Sequence, residues 1–128
     1  MSDDRVRQFT EFRKRMNERI LAQDNQVVRR FFALDTQTYK SGVLDVKTKE
    51  MLGLVASMVL RCDDCIAYHV AQCREAGLSR DEFFEVFSVA LVVGGSIVIP
   101  HLRRAVDFLD QLEAEQADVP PPHDHAAD

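Results

Sequence analysis

The chain has 128 residues and a net charge of −5 at pH 7, a length that suits one domain able to bury a core without disulfides or a structural metal. The acidic balance and the lack of a basic block argue against nucleic acid as a partner. The charged opening "MSDDRVRQFTEFRKRMNERI" has no apolar stretch of the kind a secretory signal needs.

Apolar spacing is helical from the start. Val6, Phe9, Phe12, Met16 and Ile20 step by three or four residues and predict one face of a first helix. Asn25 is placed to cap a second helix carrying Val27, Val28, Phe31, Phe32 and Leu34. After the loop "KSGV", Asp45 is placed to cap a third, whose second half, "MLGLVASMVL", is apolar all round and so is expected to be buried on most sides. A fourth is expected from near Asp63 to Gly77, a C′ glycine. Ser79 with Glu82 forms a capping box that opens a fifth, and Gly94-Gly95 ends it. The last helix is expected over about Ser96 to Gln116, with Pro100 near its first turn. The region "FFEVFSVALVVGGSIVI" is interrupted by Glu85, two serines and the glycine pair, which predicts two buried helices rather than a membrane span. No segment alternates with period two, so the fold class is all-α, a single domain of about six helices over 1–117. The tail over 118–128 is proline-rich and polar and is expected to be disordered, its two histidines incidental.

The segment "RCDDCIAYH" holds the chemistry. Three cysteines are an odd number, expected to be reduced in a cytoplasmic chain, and a C-x-x-C there is more often catalytic or metal-binding than a staple. On a helical wheel Cys62, Cys65 and His69 share one side, with Ile66, Val70 and Cys73 beside them, while Tyr68 points away from the thiol face. An imidazole four residues after Cys65 can take the thiol proton or stabilise the thiolate, the nucleophilic form. Both thiols also lie at the helix N-terminus, where the dipole favours an anion. If the third and fourth helices form an antiparallel hairpin turning at Leu60-Arg61, Glu50 and His69 are nearly symmetric about the turn. A carboxylate at the edge of a buried run needs a partner, and an imidazole can supply one. That arrangement suggests a chain from Glu50 to His69 to Cys65, with Cys62 near enough to form a disulfide.

Written as a pattern, these residues read E-x11-C-x2-C-x3-H over Glu50, Cys62, Cys65 and His69. The pattern resembles the signature of the alkylhydroperoxidase D-like branch of the carboxymuconolactone decarboxylase family, and wider similarity, including "GLSRDEFFEV" and the "GG" before the last helix, runs over about Lys40 to Leu112. The resemblance implies an all-helical fold that assembles as trimers or hexamers, and thiol-dependent reduction of hydroperoxides without a cofactor. In that scheme Cys65 attacks, Cys62 resolves, His69 and Glu50 relay protons, and a dithiol donor such as a lipoyl-bearing protein resets the pair. One departure stands out: some relatives carry a histidine just before the second cysteine, where this chain has Asp64, whose charge opposes thiolate formation. The decarboxylase branch lacks the cysteine pair, so its presence argues against lactone decarboxylation on the same fold.

Simpler readings compete at each position. The thiols could be an inert buried pair, and Glu50 a carboxylate complementing a helix dipole. Cys73 reads as a small core residue, and His101 as a surface or core residue that could line the same pocket. Phe83, Phe84 and Phe87 read as core or subunit interface. Zinc held by Cys62, Cys65, His69 and Glu50 is disfavoured, because three candidate ligands lie on one helix and no second ligand pair is present. The same pair could also serve a non-enzymatic redox sensor, or the chain could be a fold-mate with lost chemistry that acts as an oligomeric scaffold. Self-association is expected, since the third, fifth and sixth helices carry more apolar surface than a small bundle can cover.

Overall fold

The computed structural model describes residues 4–118. The tail expected from 118 onward lies outside them, save for its first position, where the last helix closes. Six helices and one 3-10 turn make up the described chain: α1 Arg5–Ala22, α2 Gln26–Thr38, α3 Val46–Leu60, α4 Asp63–Glu75, α5 Arg80–Gly94, the turn Ser96–Val98, and α6 Ile99–Asp118. The last helix therefore starts three residues later than its pattern predicts. Gly95, at φ 84°, breaks α5, and the chain makes a 3-10 turn before Pro100 enters the first turn of α6.

The helix starts follow their capping residues. The side chains of Asn25 and Asp45 accept from the amides of Val28 and Thr48, satisfying donors that a helix N-terminus leaves free. At α5 the box is reciprocal: Ser79 Oγ accepts from the Glu82 amide and Glu82 Oε1 accepts from the Ser79 amide.

The core is formed by α3, α4, α5 and α6 around Leu54, Met58, Val70, Phe83, Phe87 and Leu109, all essentially inaccessible to solvent. α1 lies along α6, with Phe9 edge-on to Phe108 at a centroid distance of 5.8 Å. α3 and α4 pack as an antiparallel hairpin joined by two residues. Arg61 takes the left-handed conformation at φ 60°, its amide donating to the Met58 carbonyl and the Cys62 amide to the Ser57 carbonyl, the bonds of a Schellman ending. Cys62 is then also the N-cap of α4, its Sγ accepting from the Cys65 amide at 3.4 Å. One cysteine closes one helix and opens the next.

The single chain does not bury α3 on most sides as its composition predicts. Leu52, Ala56 and Leu60 stand exposed, Leu60 at 77 %. α2, with Val27, Phe31 and Leu34 exposed, buries no residue at all. Of the phenylalanine cluster, Phe83 and Phe87 are core and Phe84 is exposed. No helix among the described residues is long and apolar enough to cross a membrane.

Candidate functional site

The hairpin brings Glu50 and His69 together. Glu50 lies in the second turn of α3, His69 in the middle of α4, and Glu50 Oε1 is 2.8 Å from His69 Nδ1. They are 3 % and 7 % exposed. A carboxylate can only accept, so Nδ1 carries a proton and donates it to Glu50, leaving Nε2 as the free face of the ring.

Cys62 and Cys65 lie at the mouth of the same helix with free thiols, their Sγ atoms 2.7 Å apart. Cys65 is exposed and Cys62 half-buried. The Cys65 thiol is pushed up to about 11, first by desolvation, then by the hydrogen bond to Cys62 and the charge Cys62 can carry, and only then by Asp64. Asp64 thus acts in the direction its sequence position predicts but ranks behind Cys62. The Cys65 backbone amide, at the helix N-terminus, works the other way on its own thiol, while the hydrogen bond it makes goes to Cys62 Sγ. Among the described residues no hydrogen bond joins His69 directly to Cys65; the Nε2 face meets a different group.

That group is Tyr39, at the C-terminal end of α2. Its hydroxyl is 3.5 Å from His69 Nε2 and the two rings are 5.3 Å apart. Gly53, one turn after Glu50 on α3, leaves the space: a Cβ there would lie 2.6 Å from His69 Cε1 and 2.8 Å from the Tyr39 hydroxyl. Tyr68, which the wheel turns away from the thiols, instead packs edge-on against His69 at 5.1 Å and carries the Arg13 guanidinium on its face at 4.1 Å. Burial first and the Glu50 charge second hold both phenols above their usual range, so each remains a protonated donor at neutral pH. Tyr39 and Gly53 escape a motif reading, Tyr39 because it lies outside the pattern and Gly53 because it falls among its unspecified positions. Only the aromatic before a loop and a glycine inside an apolar helix hint at them.

His101 meets the site from α6. Its Nδ1 is 2.8 Å from Asp63 Oδ1, and Arg104 donates to Asp63 Oδ2 at 3.3 Å. It is therefore a hydrogen-bond partner at the N-terminus of α4 rather than a core filler. Cys73 is fully buried, its thiol pushed up to about 12 by desolvation and then by Glu50. A groove of about 1170 Å³ runs between α1, α4 and α6, with Phe9, Phe12, Met16 and Phe108 on its apolar walls and Cys65 and His69 also lining it. No set of three or more His, Cys, Asp or Glu side chains converges on a metal position among the described residues.

Comparison with known proteins agrees with this architecture. Two crystal structures of one Thermotoga maritima protein, 54 % identical in sequence, superpose with TM-scores of 0.84 and 0.83, covering 88 % and 87 % of this chain and 98 % and 94 % of theirs. One is described as a carboxymuconolactone decarboxylase family protein with a suggested involvement in the antioxidative response. A Legionella pneumophila family member, 24 % identical with a TM-score of 0.73 over 88 % of this chain and 97 % of its own, shares the fold. A Paracoccus denitrificans protein known as uncharacterised protein 4 in the cox locus is 28 % identical over 83 residues, 65 % of this chain and 75 % of its own. The model of the carboxymuconolactone decarboxylase family matches residues 25–108, and the chain belongs to that family.

Proposed function

We propose that the chain is a thiol-dependent oxidoreductase that reduces hydroperoxides. The observation that carries this reading is the pair of free sulfurs 2.7 Å apart on the helix that also holds the Glu50–His69 pair. The Cys65 thiolate attacks the terminal peroxide oxygen; the S–O bond forms as the O–O bond breaks, giving a sulfenic acid and an alkoxide that takes a proton and leaves as an alcohol. Cys62 then displaces water from the sulfenic acid, and the resulting disulfide is reduced by an external dithiol, a lipoyl-bearing protein being one such donor. The exposed Cys65 and the apolar groove beside it support access by an organic hydroperoxide. The similarity to a Thermotoga maritima protein with a suggested antioxidative involvement supports the same direction. A reducing, cytoplasmic setting suits a site that must be reset by dithiols.

Further support concerns assembly. The exposed apolar side chains of α2, α3 and α5 are those a homo-oligomer, a trimer or hexamer, would cover.

The test is peroxide consumption by the reduced protein with a dithiol donor, paired with a thiol count after one equivalent of peroxide. The expected result is loss of two thiols per chain with Cys73 still free, and loss of turnover in Cys65→Ser. Unchanged turnover in that variant would remove the proposed role. One feature favours a second reading: a Cys65 thiol pushed up to about 11 is little ionised at neutral pH, which suits a redox sensor that forms the disulfide without rapid turnover.

A further inference from the structure

Glu50 occupies Nδ1 of His69, so any proton His69 exchanges must pass through Nε2. The group on Nε2 is the Tyr39 hydroxyl. Its placement is built rather than incidental. Lys49 Nζ reaches back to the carbonyls of Thr38 and Lys40, at 2.8 and 2.6 Å, and clamps the chain on both sides of Tyr39 to α3. These are carbonyls at the end of α2, where a lysine suits both the unpaired acceptors and the dipole. Gly53 leaves the hydroxyl its seat, since any side chain there would collide with it and with the imidazole together. Lys49, Glu50 and Gly53 on one stretch of α3 thus fix Tyr39, His69 and their contact.

We propose that Tyr39 is a positioning residue through which His69 exchanges protons with the thiol site. In the neutral imidazole Nε2 accepts from the Tyr39 O–H; in the imidazolium Nε2–H donates to the same oxygen. The hydroxyl therefore serves both protonation states by rotating its hydrogen. Activation of the thiol moves one proton and no electrons: the Tyr39 O–H proton passes to Nε2, the phenol oxygen receives by way of solvent the proton released by the Cys65 thiol, and the thiolate remains. The reverse transfer returns the proton to the leaving alkoxide. The charged and titratable groups around the phenol are Asp35 on α2, Lys49 and Glu50 on α3, and Tyr68, His69 and Cys65 on α4. Burial first, then the charges of Glu50 and Asp35, hold it above its usual range, so Tyr39 passes a proton on without itself staying ionised. The inference depends on the peroxidase reading only for the step with peroxide.

The experiment follows alkylation of Cys65 by iodoacetamide against pH, read by peptide mass spectrometry, in the full chain and in Tyr39→Phe, His69→Gln and the double variant. Alkylation needs the thiolate but no peroxidase activity. Tyr39→Phe keeps the ring, and its expected rate near neutral pH is about tenfold lower, with the profile displaced to higher pH. The double variant is expected to be no slower than His69→Gln alone. A Tyr39→Phe rate within twofold of the parent across the profile overturns the proposal, as do single effects that multiply in the double variant. Gly53→Ala provides a second route, because it crowds the hydroxyl and the imidazole together while alanine favours the helix; it is expected to slow alkylation at least as far as Tyr39→Phe, and a parental profile counts against the proposal. Peroxide consumption by the same proteins separates the two claims. A Tyr39 effect on alkylation without any peroxide turnover removes the peroxidase reading and keeps Tyr39. Turnover indifferent to Tyr39→Phe does the opposite.

Discussion

Glu50 Oε1 and His69 Nδ1 meet at 2.8 Å with both side chains almost wholly withdrawn from water, although nineteen positions separate them in the chain. Burial makes this pair a stability element as well as a candidate relay. Truncating one member leaves the other's polar group without a partner in a low-dielectric interior.

Glu50→Ala is therefore expected to cost on the order of 3 kcal/mol, measured by urea denaturation. Glu50→Gln keeps an acceptor oxygen for Nδ1–H and is expected to lose clearly less stability. It removes the charge that stabilises an imidazolium, so its peroxide consumption should fall with Glu50→Ala. A glutamine variant as active as the parent would assign Glu50 a purely structural role.

The elevated Cys65 thiol sets the pH profile. The reactive species is the thiolate, and with the thiol held near 11 its fraction at neutral pH is small and rises about tenfold per pH unit until the pH nears that value. Reaction with peroxide should rise steeply through the alkaline range. Cys62→Ser should displace the profile to lower pH by more than Asp64→Asn, because the hydrogen bond and charge of Cys62 weigh more than Asp64. Equal displacements would show that Asp64 dominates.

Cys73 offers a separate linkage. Its folded value, about 12, stands above the ordinary 9.0 of a thiol, so the folded chain holds this proton more tightly than the unfolded one. The corresponding stability is complete below about pH 9 and is lost as pH rises toward 12. Denaturant midpoints at pH 7 and pH 10.5 should fall further apart in the parent than in Cys73→Ala. The native thiol should also resist alkylation until the chain unfolds.

The exposed apolar faces predict the assembly. Val92 is 86 % exposed on α5, an isolated-chain exposure that water does not favour. Light scattering should give a multiple of the chain mass, and Val92→Glu or Leu60→Glu should reduce it. A monomer in the parent at micromolar concentration would assign these faces another role.

The helices were legible because their signals are local. Asn25, Asp45 and the Ser79–Glu82 box act within one turn, so capping chemistry alone places three starts. Glu50 and His69 were legible because a two-residue connection leaves a hairpin little freedom, and symmetry about the turn then names the facing positions. Tyr39 was not legible: it comes from α2, thirty positions from His69, and its place depends on a lysine clamp between side chain and carbonyls. The contacts of Tyr68 were not legible because a wheel describes one helix and omits α1, whose Arg13 covers that ring. The burial expected for α3 failed for a related reason, since an apolar composition does not say whether the covering surface belongs to the same chain.

Cys62 ends α3 and begins α4 with no residue to spare. The pattern E-x11-C-x2-C-x3-H is then a measured length. At 3.6 residues per turn, the twelve steps from Glu50 to Cys62 are about three turns and the seven from Cys62 to His69 about two, and these two arm lengths together turn the carboxylate and the imidazole toward each other across the hairpin. A single residue inserted at 60–62 would rotate one helix by about 100° against the other and take Glu50 off His69 with every side chain unchanged. The short connector works as a gauge block for the site, fixing a registration that no individual side chain could hold.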